Sequence, residues 1–141
     1  MSLFNKFESG DDKRKKSHVR NLIKMAAADG QVDDVERAFL NKVAKRYGVE
    51  PEEVQHIIEH PNDYSFTPPS TKEDRHAQLL NLTIMMMIDG VIDDNEMSML
   101  KKFSIGLGYP IMKVDKLIKV AIECVKSDMD EDEAMDELDD A

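Results

Sequence analysis

Two stretches of this chain carry acidic residues at the same spacing. Asp29, Asp33 and Glu36 stand in the pattern Asp-Gly-x-Val-Asp-Asp-x-Glu, and Asp89, Asp93 and Glu96 repeat it with Ile in place of Val. Closely spaced carboxylates form a cluster of hard oxygen donors of the kind that Ca²⁺ or Mg²⁺ prefers. The chemistry these residues suggest is divalent-cation binding, with Asp29, Asp33, Glu36, Asp89, Asp93 and Glu96 as the metal candidates.

The same residues also have a plain structural reading. Gly30 and Gly90 stop a helix, because glycine takes positive φ without steric cost. Asp33 followed by Glu36, and Asp93 followed by Glu96, form capping boxes for the next helix. Asp34 and Asp94 in its first turn suit the positive end of the helix dipole. Val32 and Ile92 are expected to staple the joint to the core. Asp29 and Asp89 resist this account. Each sits at the negative end of the preceding helix, where a carboxylate costs about 0.3–1 kcal/mol unless a cation or donor offsets it. Capping would also accept Ser, Thr or Asn at 33 and 93, yet both positions hold Asp. An EF-hand register places Asp29, Gly30, Val32, Asp33 and Glu36 correctly but puts Met25 and Ala27, or Met85 and Met87, where side-chain oxygens belong. A standalone EF-hand is therefore rejected. A cation here would need fewer protein ligands and more water, or carboxylates from both stretches meeting in one site.

The elements that must position these residues are themselves repeated. At a fixed offset of 60, eleven of the 29 positions in residues 21–49 match residues 81–109, among them Asn21/Asn81, Leu22/Leu82, Met25/Met85, Leu40/Leu100 and Gly48/Gly108. Apolar character continues at Val54/Val114, Ile57/Leu117 and Ile58/Ile118. The chain reads as a duplicated three-helix unit. Helical spacing of Val19, Leu22, Ile23 and Ala26 predicts a helix over 13–28. A second runs over 34–47, with Val35, Phe39, Leu40, Val43 and Tyr47 on one face. Pro51 opens a short third helix that Pro61 closes. The second copy repeats this as 72–88, 94–107 and 110–127.

A Pro-rich connection joins the copies, and Tyr64 and Phe66 are expected to pin it to the body; a binding role for them is the alternative. Residues 128–141 form either a seventh, acidic helix or a disordered tail. The expected fold is all-α: a single-domain bundle of about seven helices. Its parts are an N-terminal segment 1–12, a helical domain 13–127 (repeats 13–60 and 72–127, linker 61–71) and the acidic end 128–141.

The stretches AAADGQVDDVE and MMMIDGVIDDNE, in an all-helical chain of this size, resemble the TerB-like tellurite-resistance proteins over roughly residues 13–127. That resemblance implies a compact seven-helix bundle whose acidic residues take a divalent metal: Asp29, Asp33 and Glu36, and Asp89, Asp93 and Glu96. It implies a non-enzymatic role in a tellurite or chemical-stress response, in association with other Ter-type proteins at the cytoplasmic membrane face. The acidic end and the basic Lys13–Lys16 run depart from the family pattern.

Composition narrows the classes further. Of the 29 acidic residues, nine lie in 127–141, a stretch with no Lys or Arg, so the rest of the chain is within one charge of neutral. A near-neutral body under an acidic end lacks the basic footprint nucleic-acid binding needs. No apolar run approaches the roughly 20 residues of a membrane span, and the start does not read as a signal peptide. The lone Cys124 excludes an internal disulfide and a Cys-based zinc site. A cytoplasmic setting is expected.

Other signals read as structural. His56-Ile57-Ile58-Glu59-His60 matches H-x-x-E-H, but on a short helix without a third ligand, and its counterpart at 116–120 carries nothing similar. Met85–Met87 reads as core, and Lys13–Lys16 as a solvated face. Cys124 has no base beside it to make a nucleophile, and no phosphate loop is present. The functional expectation is a non-enzymatic cation-binding module that acts through a protein partner. The alternative is a metal-free helical adaptor whose acidic stretches are only caps.

Overall fold

The computed structural model describes residues 10–28 and 30–141. Among them run seven α-helices: α1 Gly10–Ala26, α2 Asp34–Arg46, α3 Pro51–Glu59, α4 Lys72–Met87, α5 Asp94–Leu107, α6 Ile111–Lys126 and α7 Glu131–Asp140, with a 3₁₀ turn at Pro61–Asp63. The chain is an all-α single domain. No described helix is long and apolar enough to cross a membrane.

The helices begin where local chemistry starts them. Asp33, Thr71, Asp93 and Asp130 each accept a hydrogen bond from the backbone N–H three residues on, at the starts of α2, α4, α5 and α7. Pro51 opens α3, since its missing N–H falls among donors that have no partner in a first turn. Gly108 ends α5 at φ +113°, a left-handed conformation that glycine enters freely. α2 and α5 keep the sequence offset of 60, starting at Asp34 and Asp94, whereas α1 starts at Gly10, before the expected 13, and α4 at Lys72. The third helices differ, because α3 stops at Glu59 whereas α6 continues to Lys126.

α4 is the central helix, packed against α1, α2, α5, α6 and α7. It buries residues on most of its circumference, including Leu79, Leu82, Met85 and Met86, as a helix surrounded by others must. Met85 and Met86 are thus core, and Met87 packs against it. On α2 the buried stripe differs from the expectation. Leu40 and Val43 are fully buried, but Val35 is 60% exposed. At 100° per residue, Glu36 lies on the stripe of Leu40 and Val43 while Val35 falls roughly a quarter turn outside it. The capping carboxylate occupies the inward position.

The acidic end is a helix. α7 lays Ala134 and Leu138, one turn apart, against the bundle and keeps its acids toward solvent. It packs on α4 and α6. Linker residues Tyr64 and Phe66 pack against the core.

Candidate functional site

The two acidic joints are built alike. In the first, Asp33 is extended (φ −83°, ψ 176°), and its Oδ1 accepts from Glu36 N–H at 2.8 Å while Glu36 Oε1 accepts from Asp33 N–H at 3.0 Å. In the second, Asp93 Oδ1 accepts from Glu96 N–H at 2.7 Å and Glu96 Oε1 accepts from Asp93 N–H at 3.4 Å. Both capping boxes are complete. The glutamates point inward, Glu36 at 4% exposure and Glu96 at 2%, whereas Asp33 is exposed and Asp93 half-buried. Gly30 and Gly90 both take positive φ at the turn. Val32 packs against the core as expected, but Ile92 stays 37% exposed.

Asp89 has a donor. Its Oδ1 accepts from Val91 N–H at 3.0 Å, an Asx-type turn that answers the unfavourable helix end without a cation. Asp29 lies outside the described residues.

The donor chemistry of these joints suits a hard cation, but their geometry is not a ready-made cage. Among the described residues, no three His, Cys, Asp or Glu side chains assemble into a group that could hold a metal ion. Asp89, Asp93 and Glu96 are all described, so the second joint does not converge as it stands, and Asp33 and Glu36 do not meet them in a shared site.

The H-x-x-E-H stretch also fails to form a centre. His60 has left the helix, with φ −135° at the end of α3. His56 is exposed, and its Nδ1 lies 2.7 Å from the Tyr64 hydroxyl. That hydroxyl donates to Glu53, which also pairs with Lys16 of α1 at 2.8 Å. Burial alone would raise the Glu53 pKa, but the hydrogen bonds from Lys16 and Tyr64 hold it below the ordinary carboxylate range. The result ties the linker and α3 to α1.

Two polar clusters had no local signal in the sequence, because their members lie far apart along it. His76, on α4, is buried; its Nδ1 is 2.6 Å from the Tyr109 hydroxyl and its Nε2 2.8 Å from Asp139 Oδ1 of α7. The bond from His76 and the pairing with Lys72 keep the Asp139 carboxyl below its ordinary pKa. His18, on α1, is fully buried, with Nε2 3.1 Å from the Asn81 amide on α4 and its ring edge-on to Tyr47. Burial pushes its pKa down to about 3, so it is neutral at physiological pH. Cys124 is buried with a raised pKa, the opposite of a reactive thiol.

A family model described as tellurite resistance protein TerB matches residues 2–64. The matched stretch contains the first acidic joint and ends before the second. No curated protein and no solved structure matches the chain.

Proposed function

Because the chain is TerB-like, we propose that it is a non-enzymatic helical module of a tellurite or chemical-stress response, one that works by binding. Its acidic joints take a divalent cation, Ca²⁺ or Mg²⁺, and pass occupancy to a protein partner, in keeping with a cytoplasmic setting near Ter-type proteins at the membrane face. The observation that carries this reading is the duplicated placement of an inward glutamate, Glu36 or Glu96, hydrogen-bonded to an aspartate that opens α2 or α5.

So few converging carboxylates match hydrated Mg²⁺ better than Ca²⁺. Mg²⁺ commonly keeps several waters and uses one or two carboxylates, whereas Ca²⁺ takes about 6–8 oxygens. The candidate ligands remain Asp29, Asp33 and Glu36 in the first joint, and Asp89, Asp93 and Glu96 in the second. A cation would relieve the local carboxylate repulsion and fix the angle between α1 and α2, or between α4 and α5.

A second reading has its own support. Both capping boxes close without an ion, and Val91 already serves Asp89. On that footing the chain is a metal-free adaptor and the acidic joints are helix caps.

Titration calorimetry of metal-stripped protein with Mg²⁺ and then Ca²⁺, repeated on the Asp29→Asn/Asp89→Asn double variant, separates the two. Saturable binding that the variant loses supports the cation module. No heat, with thermal stability unmoved by cation, leaves the adaptor. Deleting the acidic end would confound this comparison, because Ala134 and Leu138 are part of the core. Asp132→Asn and Asp136→Asn, both on exposed positions of α7, test its acidic surface instead.

A further inference from the structure

The corner where α5 turns into α6 combines exposed apolar side chains with a high density of lysine. Lys101 Nζ of α5 lies 3.4 Å from Asp115 Oδ1 of α6, which sets the two helices side by side. Ile105 follows Lys101 by one turn and Ile111 precedes Asp115 by one turn, so both lie on that side, toward the connection 108–110. Ile111 is 72% exposed, Met112 beside it 96%, and Ile105 is exposed as well. Single exposed apolar residues are ordinary, whereas a contiguous group rimmed by polar side chains marks an interaction surface.

The rim is basic. Residues 101–119 hold five lysines and one acid, Asp115, in a chain whose net charge is −10. Lys101, Lys102, Lys113, Lys116 and Lys119 are all exposed. Lys113 also lines a cavity of about 160 Å³ together with Lys72 and Arg75 of α4, the Tyr109 ring and Asp139. Lys72 and His76 already serve Asp139, but Arg75 and Lys113 form no ion pair among the described residues. The Arg75 guanidinium lies over the Tyr109 ring at 5.6 Å, and its buried Nε has no hydrogen-bond partner. The cavity therefore has two cationic side chains to spare for an oxyanion.

We propose that this corner docks on an anionic phospholipid surface. Ile105, Ile111 and Met112 enter the interfacial layer, the lysines face the headgroups, and Arg75 with Lys113 takes one headgroup phosphate. Charge and apolarity select this occupant together, because interfacial binding combines buried apolar area with attraction of Lys and Arg to anionic lipid. Nucleic acid or a purely acidic protein segment would match the lysines but leave the projecting Ile111 and Met112 without an apolar medium. The acids elsewhere on the chain do not forbid the contact, since exposed charges more than about 10 Å away are largely screened at about 0.1 M salt. The proposal goes beyond the cation reading and does not depend on it.

The test is flotation of the full chain, in chelator, with vesicles of equal parts phosphatidylglycerol and phosphatidylcholine, and with vesicles of phosphatidylcholine alone. The chain should float with the anionic vesicles only, and several-fold less at about 0.5 M salt. Ile111→Ser/Met112→Ser, at exposed positions, should lower the partition coefficient about tenfold or more. Lys113→Gln/Lys116→Gln should lower it by roughly the same factor. Val35→Ser and Lys42→Gln, exposed elsewhere on the bundle, should leave it unchanged. No flotation, equal flotation with neutral vesicles, or an Ile111→Ser/Met112→Ser variant that binds like the wild type would each overturn the proposal. So would a chain that ignores vesicles yet binds inorganic phosphate through Lys113, or one that ignores vesicles yet binds polyglutamate. The chelator keeps this result separate from the calorimetry, so either reading can fail alone.

Discussion

Nε2 of His76 lies 2.8 Å from Oδ1 of Asp139, across 63 residues of sequence. This bond, together with Lys72 at 3.3 Å from the same carboxylate, fastens the end of α7 to the start of α4. It gives a helix with few apolar residues a defined seat. Asp139→Asn should therefore speed amide hydrogen exchange across 131–140 while leaving α1 to α3 unchanged. His76→Phe should cost more, roughly 1–3 kcal/mol in denaturant unfolding, because it leaves the buried Tyr109 hydroxyl without its partner.

The same contact sets an acid limit. Asp139 has a lowered pKa in the folded chain, so its contribution is present above the ordinary Asp range and is lost as pH falls through the lowered value. Exchange in α7 should accelerate on that acidification, and Asp139→Asn should remove the pH dependence. Unchanged exchange in the wild type across that range would sink this account.

His18 gives a second, separable slope. Its ordinary pKa is 6.5 and its folded value about 3, so the unfolded chain binds the extra proton between those limits. Stability should fall as pH drops from 6.5 toward 3, by about 1.4 kcal/mol per pH unit at most. His18→Gln places at position 18 the residue found at 78 and should flatten this slope when the two unfolding curves are compared.

The capping boxes can be separated from any cation chemistry by substitution at one position. Asp33→Ala and Asp93→Ala should each destabilise by about 1 kcal/mol, whereas Asp33→Ser and Asp93→Ser should keep most of that. Ser retains a cap oxygen but no charge. If the Ser variants keep full stability and lose Mg²⁺ binding in calorimetry, the joints have two functions; if Mg²⁺ binding is untouched, Asp33 and Asp93 are not ligands.

Gly106→Ala tests the seat of Phe66 in the linker. The added methyl meets the Phe66 ring at 2.8 Å, too close for any real Cβ contact, so the linker must shift. A loss of roughly 1–3 kcal/mol is expected, with a changed environment for Phe66 and Phe103 in NMR spectra. An unperturbed linker would show that Phe66 is not held there.

The starts of α2 to α5 and both capping boxes were legible in the sequence because each is made within four residues. An Asp side chain reaches its own helix's first turn whatever the rest of the chain does. The apolar period of α1 was legible for the same reason. Val35 misled because an apolar residue one position before a capping glutamate reads as core until the helix is placed against its neighbours. The acidic end could be read as helix or as tail, since nine carboxylates in 127–141 argue against burial on their own.

Tertiary structure settled what depends on distant partners. Lys72, His76 and Arg46 meet the carboxylates of α7, and Ala134 and Leu138 find an apolar seat on α4 and α6, so the acidic segment folds onto the bundle. Packing also decided that Phe66 sits against Phe103 beside Gly106, and that the described carboxylates of the two joints stay apart. The sequence by itself determined the helices before the acidic end and the caps of α2 and α5, because those rest on hydrogen bonds and periodicity a few residues long. Which faces are covered, and by what, was decided only when residues 33 and 63 positions apart came together, as His76 does with Tyr109 and Asp139, since burial is a property of neighbours rather than of spacing.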